Sequence, residues 1–187
     1  LNNIPVIESS TRDKLLTMSA ATMDRLLDPA KRACGHRGIS TTRATMFAKK
    51  YIPLKTEFDN EARPGFMHAD TVAHCGDSLL GTFAFSLTMT DVATTWTEVR
   101  AVWSKGSLLV FEAIKDVEQS LPFKILGYHA DNGGEVLNKT IFAHFRTNRS
   151  DADRVQVTRS RPYRKNDQCY VEQKNFTHVR KIFGYER

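Results

Sequence analysis

The sequence of 187 residues is poor in the features that mark secreted and membrane proteins. Its three cysteines, Cys34, Cys75 and Cys169, lie far apart, which argues against a disulfide framework and favours a reducing compartment. No run approaches the ~18 uncharged apolar residues of a membrane span. The start, LNNIPVIESS, lacks the basic flank and apolar core of a signal peptide. We therefore expect a cytoplasmic protein with no membrane partner, and the missing initiator Met suggests a fragment or trimmed product.

The chain does carry charge, and that charge is unevenly distributed. Residues 1–64 hold 11 Lys/Arg against 7 Asp/Glu, residues 65–138 hold 4 against 9, and residues 139–187 hold 12 against 5, so the balances of +4, −5 and +7 give the total of +6. An acidic centre between basic ends suits a nuclease, because carboxylates hold cations while Lys and Arg neutralise phosphates. A solvated basic surface without a partner fits the same distribution.

Three regions are predicted along the chain. Residues 1–37 form a small helical segment in which Ser19 caps a second helix from Ala20 to Leu27, a pattern that matches the end of a helix-turn-helix or simple packing. Residues 38–64 are polar, basic and interrupted by proline, which predicts a linker with at most one strand, 51–54. Residues 65–187 form the main domain.

The main domain alternates between strand and helix periodicity. The predicted strands are 66–73, 81–89, 96–103, 124–130 and 155–158, and the predicted helices are 107–121, 137–145 and 168–183. Three consecutive strands favour an antiparallel meander, and helix-linked strands favour right-handed parallel crossovers. We therefore predict an α/β domain with a five-stranded mixed sheet ordered 3-2-1-4-5 and helices on both faces.

Three acidic residues are candidates for a cation site. Asp70 lies within an apolar strand, Asp131 ends another strand, and Glu172 begins the last helix. If the first and fourth strands are parallel neighbours, the carboxylates converge at one edge of the sheet, where hard oxygen ligands suit Mg²⁺ or Mn²⁺. The alternative is that Asp70 pairs with an arginine or caps a loop, Asp131 starts a turn, and Glu172 is solvated; spacing alone leaves this open.

Three sequence blocks resemble those of bacterial insertion-sequence transposases with the retroviral-integrase catalytic core. They are HADTVAHCG around Asp70, GYHADNGGEVLN around Asp131, and SRPYRKNDQCYVEQKN leading to Glu172. The resemblance covers residues 64–187 well and residues upstream more weakly. Two features depart from the family: His68 stands where an acidic residue is usual, and the interval between Asp131 and Glu172 is longer than in retroviral integrases.

The resemblance implies a ribonuclease-H-like fold and an enzyme that cuts and joins DNA. Asp70, Asp131 and Glu172 would be both catalytic residues and ligands of two Mg²⁺ or Mn²⁺ ions, with no organic cofactor. The partners would be double-stranded DNA, as element ends and target, and further copies of the chain on that DNA. The resemblance also implies a bacterial protein of the cytoplasm that is associated with the nucleoid. A non-catalytic DNA-binding transposase remnant and a ribonuclease-H-like nuclease are the alternatives.

A basic stretch near the C-terminal end is the predicted DNA contact. Cationic side chains there would bind phosphates, and one tyrosine would stack on an unpaired base. A solvated basic loop is the alternative. The residues are Arg159, Arg161, Tyr163, Arg164 and Lys165, extended along the last helix by Lys174 and Arg180.

Overall fold

The chain divides into two compact units, Leu1–Thr41 and Thr42–Arg187. The computed structural model describes residues 8–33, 46–58, 61–76, 79–104, 106–162 and 165–184. In the first unit, α1 (Ser9–Leu16) and α2 (Ala20–Ala33) follow the predicted helices, and the Ser19 hydroxyl accepts a 3.2 Å hydrogen bond from the Thr22 amide as an N-cap does. A helix-turn-helix role for this unit stays a prediction, as do the three domain boundaries.

The second unit is built on five strands. They are β1 (Phe66–Ala73), β2 (Phe85–Asp91), β3 (Thr97–Val102), β4 (Gly127–Ala130) and β5 (Gln156–Arg159). Their order is β3-β2-β1-β4-β5. β1–β2 and β2–β3 pair antiparallel, while β1–β4 and β4–β5 pair parallel. The predicted mixed sheet and its order are confirmed.

The helices of this unit have the following bounds. They are α3 (Met46–Tyr51), α4 (Ser107–Ser120), α5 (Lys139–Phe142), α6 (Cys169–Lys174) and α7 (Lys181–Phe183). A π-helical segment, Ala143–Thr147, continues α5, and a second, Asn175–Arg180, joins α6 to α7. Within the described residues, no helix combines the length and the apolar character needed to cross a membrane.

The two faces of the sheet differ in chemistry. On one face Met67, Leu87 and Tyr128 belong to a continuous apolar core that also contains residues of α4 and α5. On the other face α6 lies against β1 and β2, and many of the buried strand residues there are polar, including His68, Thr88, Thr90, His129 and Thr158. Apolar burial on the first face supplies most of the driving force for folding, while the second face presents polar groups.

Two local predictions are wrong. Residues 51–54 do not form a strand: α3 ends at Tyr51, and Leu54 makes only an isolated bridge to Arg159. The helix forms because Ala48 and Ile52, four residues apart, both enter the apolar core. The second strand begins at Phe85 rather than at residue 81, since Gly81 has a φ of 81° that a strand does not adopt.

Gly65, which precedes β1, is expected to be intolerant of a side chain. Its φ is +120°, and a Cβ would lie 2.4 Å from the Lys124 carbonyl oxygen and 2.9 Å from Leu126 Cγ. Because backbone strain and overlap combine, Gly65→Ala should lower the free energy of unfolding by about 2–4 kcal/mol. Chemical denaturation measures the change.

Gly106→Ala is the matched control. A Cβ at Gly106 would meet Ser104 Oγ at 3.4 Å and nothing closer, and the φ of −62° suits any residue. The loss there should stay within about 1 kcal/mol, since only the preference for Gly over Ala at a helix N-cap is removed. Equal unfolding midpoints for the two variants would contradict the packing described for Gly65.

Candidate metal and nucleic-acid site

The register of two parallel strands places the first two candidate carboxylates together. β1 and β4 pair with His68 opposite His129 and Ala69 opposite Ala130. Extending this register by one residue sets Asp70 beside Asp131, which directly follows β4. Neighbouring strands lie about 4.8 Å apart and alternate residues share a face, so both carboxylates occupy the same edge of the sheet.

The same tripeptide, His-Ala-Asp, occurs at this position in both strands, as residues 68–70 and 129–131. In-register pairing therefore sets imidazole against imidazole, with ring centroids 4.6 Å apart. Phe58 contacts both rings edge-on, at 4.3 and 4.7 Å. Two residues before each aspartate, the strand backbone is therefore restricted by packed aromatic rings.

Burial keeps both histidines neutral. Desolvation, then the proximity of His129 and Lys55, lowers the pKa of His68 to about 3, and desolvation lowers that of His129 to about 4. His129 Nδ1 lies 2.9 Å from Thr158 Oγ1. Neither ring nitrogen of His68 has a hydrogen-bond partner among the described residues. The two neutral imidazoles therefore provide no positive charge that could offset the aspartates.

Short hydrogen bonds fix each aspartate. The Thr71 amide donates to Asp70 Oδ1 at 2.8 Å, and Asn175 Nδ2 donates to Asp70 Oδ2 at 2.7 Å. The Gly133 amide donates to Asp131 Oδ1 at 2.7 Å. These hydrogen bonds hold both side chains in a defined orientation at the strand ends.

The pKa of Asp70 depends on its burial and on the acidic groups around it. Its pKa is raised to about 7, first by burial, then by the charge of Asp131 and to a smaller extent by that of Glu172, against the lowering effect of its hydrogen bonds to Thr71 and Asn175. A carboxyl in this position ionises with difficulty unless a cation offsets its neighbours. Carboxylate oxygens are the hard donors that Mg²⁺ and Mn²⁺ prefer, so the chemistry of Asp70 and Asp131 fits such ions.

Glu172 completes the set only in part. It lies in α6, which packs on β1 and β2, but its side chain is exposed. Among the residues described, no three His, Cys, Asp or Glu side chains are arranged closely enough to hold a metal ion. The structure thus brings Asp70 and Asp131 together, the exposed Glu172 contributes only to the raised pKa of Asp70, and the assignment of all three as metal ligands stays a prediction.

Two of the predicted DNA-contact arginines have structural partners. Arg159 Nε donates to the Ile52 carbonyl at 2.9 Å, and its Nη1 to Asn132 Oδ1 at 3.3 Å. Arg161 is engaged by the buried Asp167, through Nε at 3.0 Å and Nη2 at 2.7 Å. The first set of contacts joins the end of β5 to the turn after Asp131, and the second joins Arg161 to the residue that precedes Gln168.

The remaining basic residues are placed as follows. Lys174 ends α6 and is half-buried. Arg180 lies further along the same helix, and its charge, after burial, contributes to lowering the pKa of His74. Tyr163, Arg164 and the side chain of Lys165 lie outside the described residues. All seven DNA-contact assignments stay predictions.

Sequence reasoning missed several residues of this site. The repeated His-Ala-Asp tripeptide was a visible signal, since identical residues before both aspartates predict a ladder once the strands are taken as parallel neighbours. Asn175 also left a signal, because it follows Glu172 by three residues and so shares its side of a helix. No pattern in the sequence pointed to the contact between Thr71 and Glu135 (Oγ1 to Oε1, 3.5 Å).

Comparison with known sequences gives one long match. The chain is 40% identical over 184 residues to the uncharacterized protein y4rM of Sinorhizobium fredii (strain NBRC 101917 / NGR234). The matched region covers 97% of this chain and 51% of that protein. The chain therefore spans about half the length of this relative. No family model matches the sequence.

Comparison with solved structures identifies the fold. A chain of the simian T-cell lymphotropic virus intasome, solved in complex with the PP2A regulatory subunit B56 gamma, superposes with a TM-score of 0.53 at 13% identity, covering 88% of this chain and 61% of that chain. The catalytic core domain of BIV integrase superposes with a TM-score of 0.43 at 17% identity, covering 59% of this chain and 64% of that chain. With the sheet order, the first match shows the ribonuclease-H-like fold of integrase cores, as the sequence predicts.

Replacing Asp70 with Asn is expected to make the metal-free protein more stable at pH 8, with no such advantage in acid. The pKa of Asp70 is about 7 in the folded protein and 3.8 in an unperturbed carboxyl. Between pH 3.8 and pH 7, the folded state therefore keeps this proton while the unfolded state loses it. The stability that this carboxyl contributes is complete below pH 3.8 and is lost as the pH rises through about 7. At about 1.4 kcal/mol per pKa unit, the difference at pH 8 is at most about 4 kcal/mol.

Denaturant unfolding between pH 4 and pH 8 in the presence of EDTA measures this effect. Asp151→Asn is the control, because the Asp151 side chain is 86% exposed and distant in sequence from all three candidates. Its difference from the unmodified protein should not share the pH trend. A stability difference for Asp70→Asn that is the same at every pH would disprove the electrostatic coupling at this edge.

Proposed function

We propose that the second unit is the catalytic core of a DNA transposase or integrase, a polynucleotidyl transferase that uses two divalent metal ions. The observation that carries the proposal is the parallel register of β1 and β4, which ends with Ala69 opposite Ala130 and so places Asp70 and Asp131 next to each other at the strand ends. Burial and then the charge of Asp131 raise the pKa of Asp70 to about 7. A fixed pair of carboxylates whose mutual repulsion calls for a cation is a suitable base for metal-dependent phosphoryl transfer.

The chain's residues would divide the work between binding and positioning. Asp70 and Asp131 hold the cations at the strand ends, where hydrogen bonds from Thr71, Asn175 and Gly133 fix their orientation. Glu172 supplies a third carboxylate from α6. Two Mg²⁺ or Mn²⁺ ions, when bound, activate the attacking oxygen and stabilise the leaving oxygen of an in-line displacement.

One site can then serve two reactions. Water would first hydrolyse a phosphodiester at the element end, and the freed 3′-hydroxyl would next attack the target DNA. Both steps exchange one oxygen for another at phosphorus, so both need the same arrangement of carboxylates. Neither step requires a covalent bond between protein and DNA.

Double-stranded DNA is the proposed partner, bound by the basic C-terminal region. Residues 139–187 carry a balance of +7, and Lys174 and Arg180 lie on the same continuous helix as Glu172. A duplex bound along this helix would bring its phosphates to the carboxylates. We propose that copies of the chain assemble on the element ends, so that two ends can be joined to one target.

Asp70→Asn and Asp131→Asn should each abolish cleavage and strand transfer, because each removes a metal ligand at the shared edge. DNA binding through the basic surface should remain nearly unchanged, and circular dichroism should show an intact fold. The assay uses the parent element's end sequences with Mg²⁺ or Mn²⁺, and Asp151→Asn serves as the active control. DNA binding with no cleavage by the unmodified chain would instead indicate a non-catalytic DNA-binding protein, and cleavage without joining would indicate a nuclease.

Replacing Arg161 and Arg164 with Ala should weaken DNA binding and flatten its salt dependence. Removing one cation that binds a phosphate reduces the slope of log affinity against log salt by about 0.9. Fluorescence anisotropy across a range of salt concentrations measures both quantities.

Two further variants separate DNA contact from loop closure. Asp167→Asn breaks the ion pair with Arg161 while keeping the cation, so it should lower thermal stability without reducing the slope. Lys139→Ala removes an exposed cation outside the predicted contact stretch. It should change neither the thermal stability nor the slope of the salt dependence. If the double arginine variant binds with unchanged affinity and slope, the basic loop is only a solvated surface.

A further inference from the structure

A fourth carboxylate lies buried next to the proposed cation site. Glu135 is only 7% exposed. It belongs to the turn Gly134–Val136 that follows Asp131, and the side-chain amide of Asn138 donates to the carbonyls of Gly134 at 3.0 Å and of Glu135 at 3.4 Å. The backbone that carries Glu135 is therefore fixed, although its side chain is not among the three acids that the proposed chemistry uses.

One residue connects Glu135 to Asp70. The Thr71 hydroxyl donates to Glu135 Oε1 at 3.5 Å, and the Thr71 amide donates to Asp70 Oδ1 at 2.8 Å. Since successive side chains of a strand point to opposite faces, Glu135 reaches Thr71 from the apolar face while Asp70 stands on the polar face. Thr71 thus contacts both carboxylates, Glu135 through its hydroxyl and Asp70 through its backbone amide.

The buried ring of Tyr128 contacts the turn that carries Glu135. Its hydroxyl donates to the Val136 carbonyl at 3.0 Å. Its pKa is raised by burial and then by the charges of Asp131, Glu135 and Asp70, in that order. The hydrogen bond to Val136 therefore holds the residue next to Glu135 against β4, which leads into Asp131.

We infer that Glu135 is a positioning residue for the proposed cation site: it holds Thr71, and through Thr71 the Asp70 carboxylate, and its buried charge increases the affinity for divalent cations. This inference rests on the proposed function, because it assumes that Asp70 and Asp131 bind such ions. In this role Glu135 would act through Thr71 and through its charge, not as a ligand of the ions. A charge behind the ligands strengthens cation binding because burial reduces screening by solvent.

Direct Mn²⁺ binding tests the inference without relying on activity. The 187-residue chain is titrated with Mn²⁺ at pH 8, and free Mn²⁺ is followed by electron paramagnetic resonance. Four variants are compared with the unmodified protein: Glu135→Gln, Thr71→Val, Thr71→Ser and Asp70→Asn. Glu135→Gln keeps an acceptor for Thr71 but removes the charge, Thr71→Val removes the hydroxyl but keeps the charge, and Thr71→Ser retains the hydroxyl as a conservative control.

We expect Glu135→Gln to raise the dissociation constant for Mn²⁺ about three- to tenfold, as removal of a nearby unit charge should. Thr71→Val should raise it about two- to threefold because one hydrogen bond is removed, and Thr71→Ser should restore affinity close to that of the unmodified protein. Asp70→Asn should abolish binding. Thermal melts establish that each variant is folded, and if Glu135→Gln is not, the Thr71→Val and Thr71→Ser pair decides.

The other outcomes separate this inference from the proposed function. If the unmodified chain binds Mn²⁺, Asp70→Asn does not, and Glu135→Gln and Thr71→Val bind normally, the role of Glu135 is disproved while the proposed function stands. If only Glu135→Gln weakens binding, positioning through Thr71 is disproved. If the unmodified chain binds no Mn²⁺, the proposed function fails and the inference fails with it.

Discussion

The parallel pairing of β1 with β4 is the constraint on which the candidate site depends. Parallel strands cannot be joined by a tight turn, so the chain between them must cross over, which β2, β3 and α4 accomplish. Because side chains alternate along each strand, the register that sets His68 against His129 necessarily sets Asp70 beside Asp131. A slip of one residue would send one aspartate to the apolar face, where an ionised carboxylate is costly. Packing of the histidine layer and placement of the carboxylates are thus decided by the same register.

The apolar face makes this arrangement energetically possible. Burial of Tyr128, Leu87 and Met89 against α4 and α5 stabilises the sheet independently of the polar face. The polar face can therefore keep groups that do not favour folding, such as an aspartate whose pKa is raised to about 7 and a histidine without hydrogen-bond partners among the described residues. Residues that oppose folding are common at functional sites, since the rest of the domain compensates for them.

Periodicity predicted the sheet and its order together with the sequence of strands and helices, and the family resemblance supported the same order; the helical spacing of α4 was its clearest element. It failed at α3, where a short helix is recognisable only from its contacts with the core. The aspartates could be found from their positions at strand ends, and the resemblance to integrase-like sequences singled them out. Glu135 and Thr71 could not, because a contact through the edge of a sheet depends on the turn geometry after β4, which composition does not encode.

The repeated His-Ala-Asp tripeptide also has an evolutionary consequence. The imidazoles of His68 and His129 fill one shared space beneath Phe58, with centroids 4.6 Å apart, so neither can change in size alone without leaving a void or a clash. Substitutions at these two positions should therefore be accepted mainly in compensating pairs. In diverging relatives we expect the identities at positions 68 and 129 to covary while both aspartates stay fixed. Drift in the supporting layer would then be correlated across two segments that are far apart in the sequence.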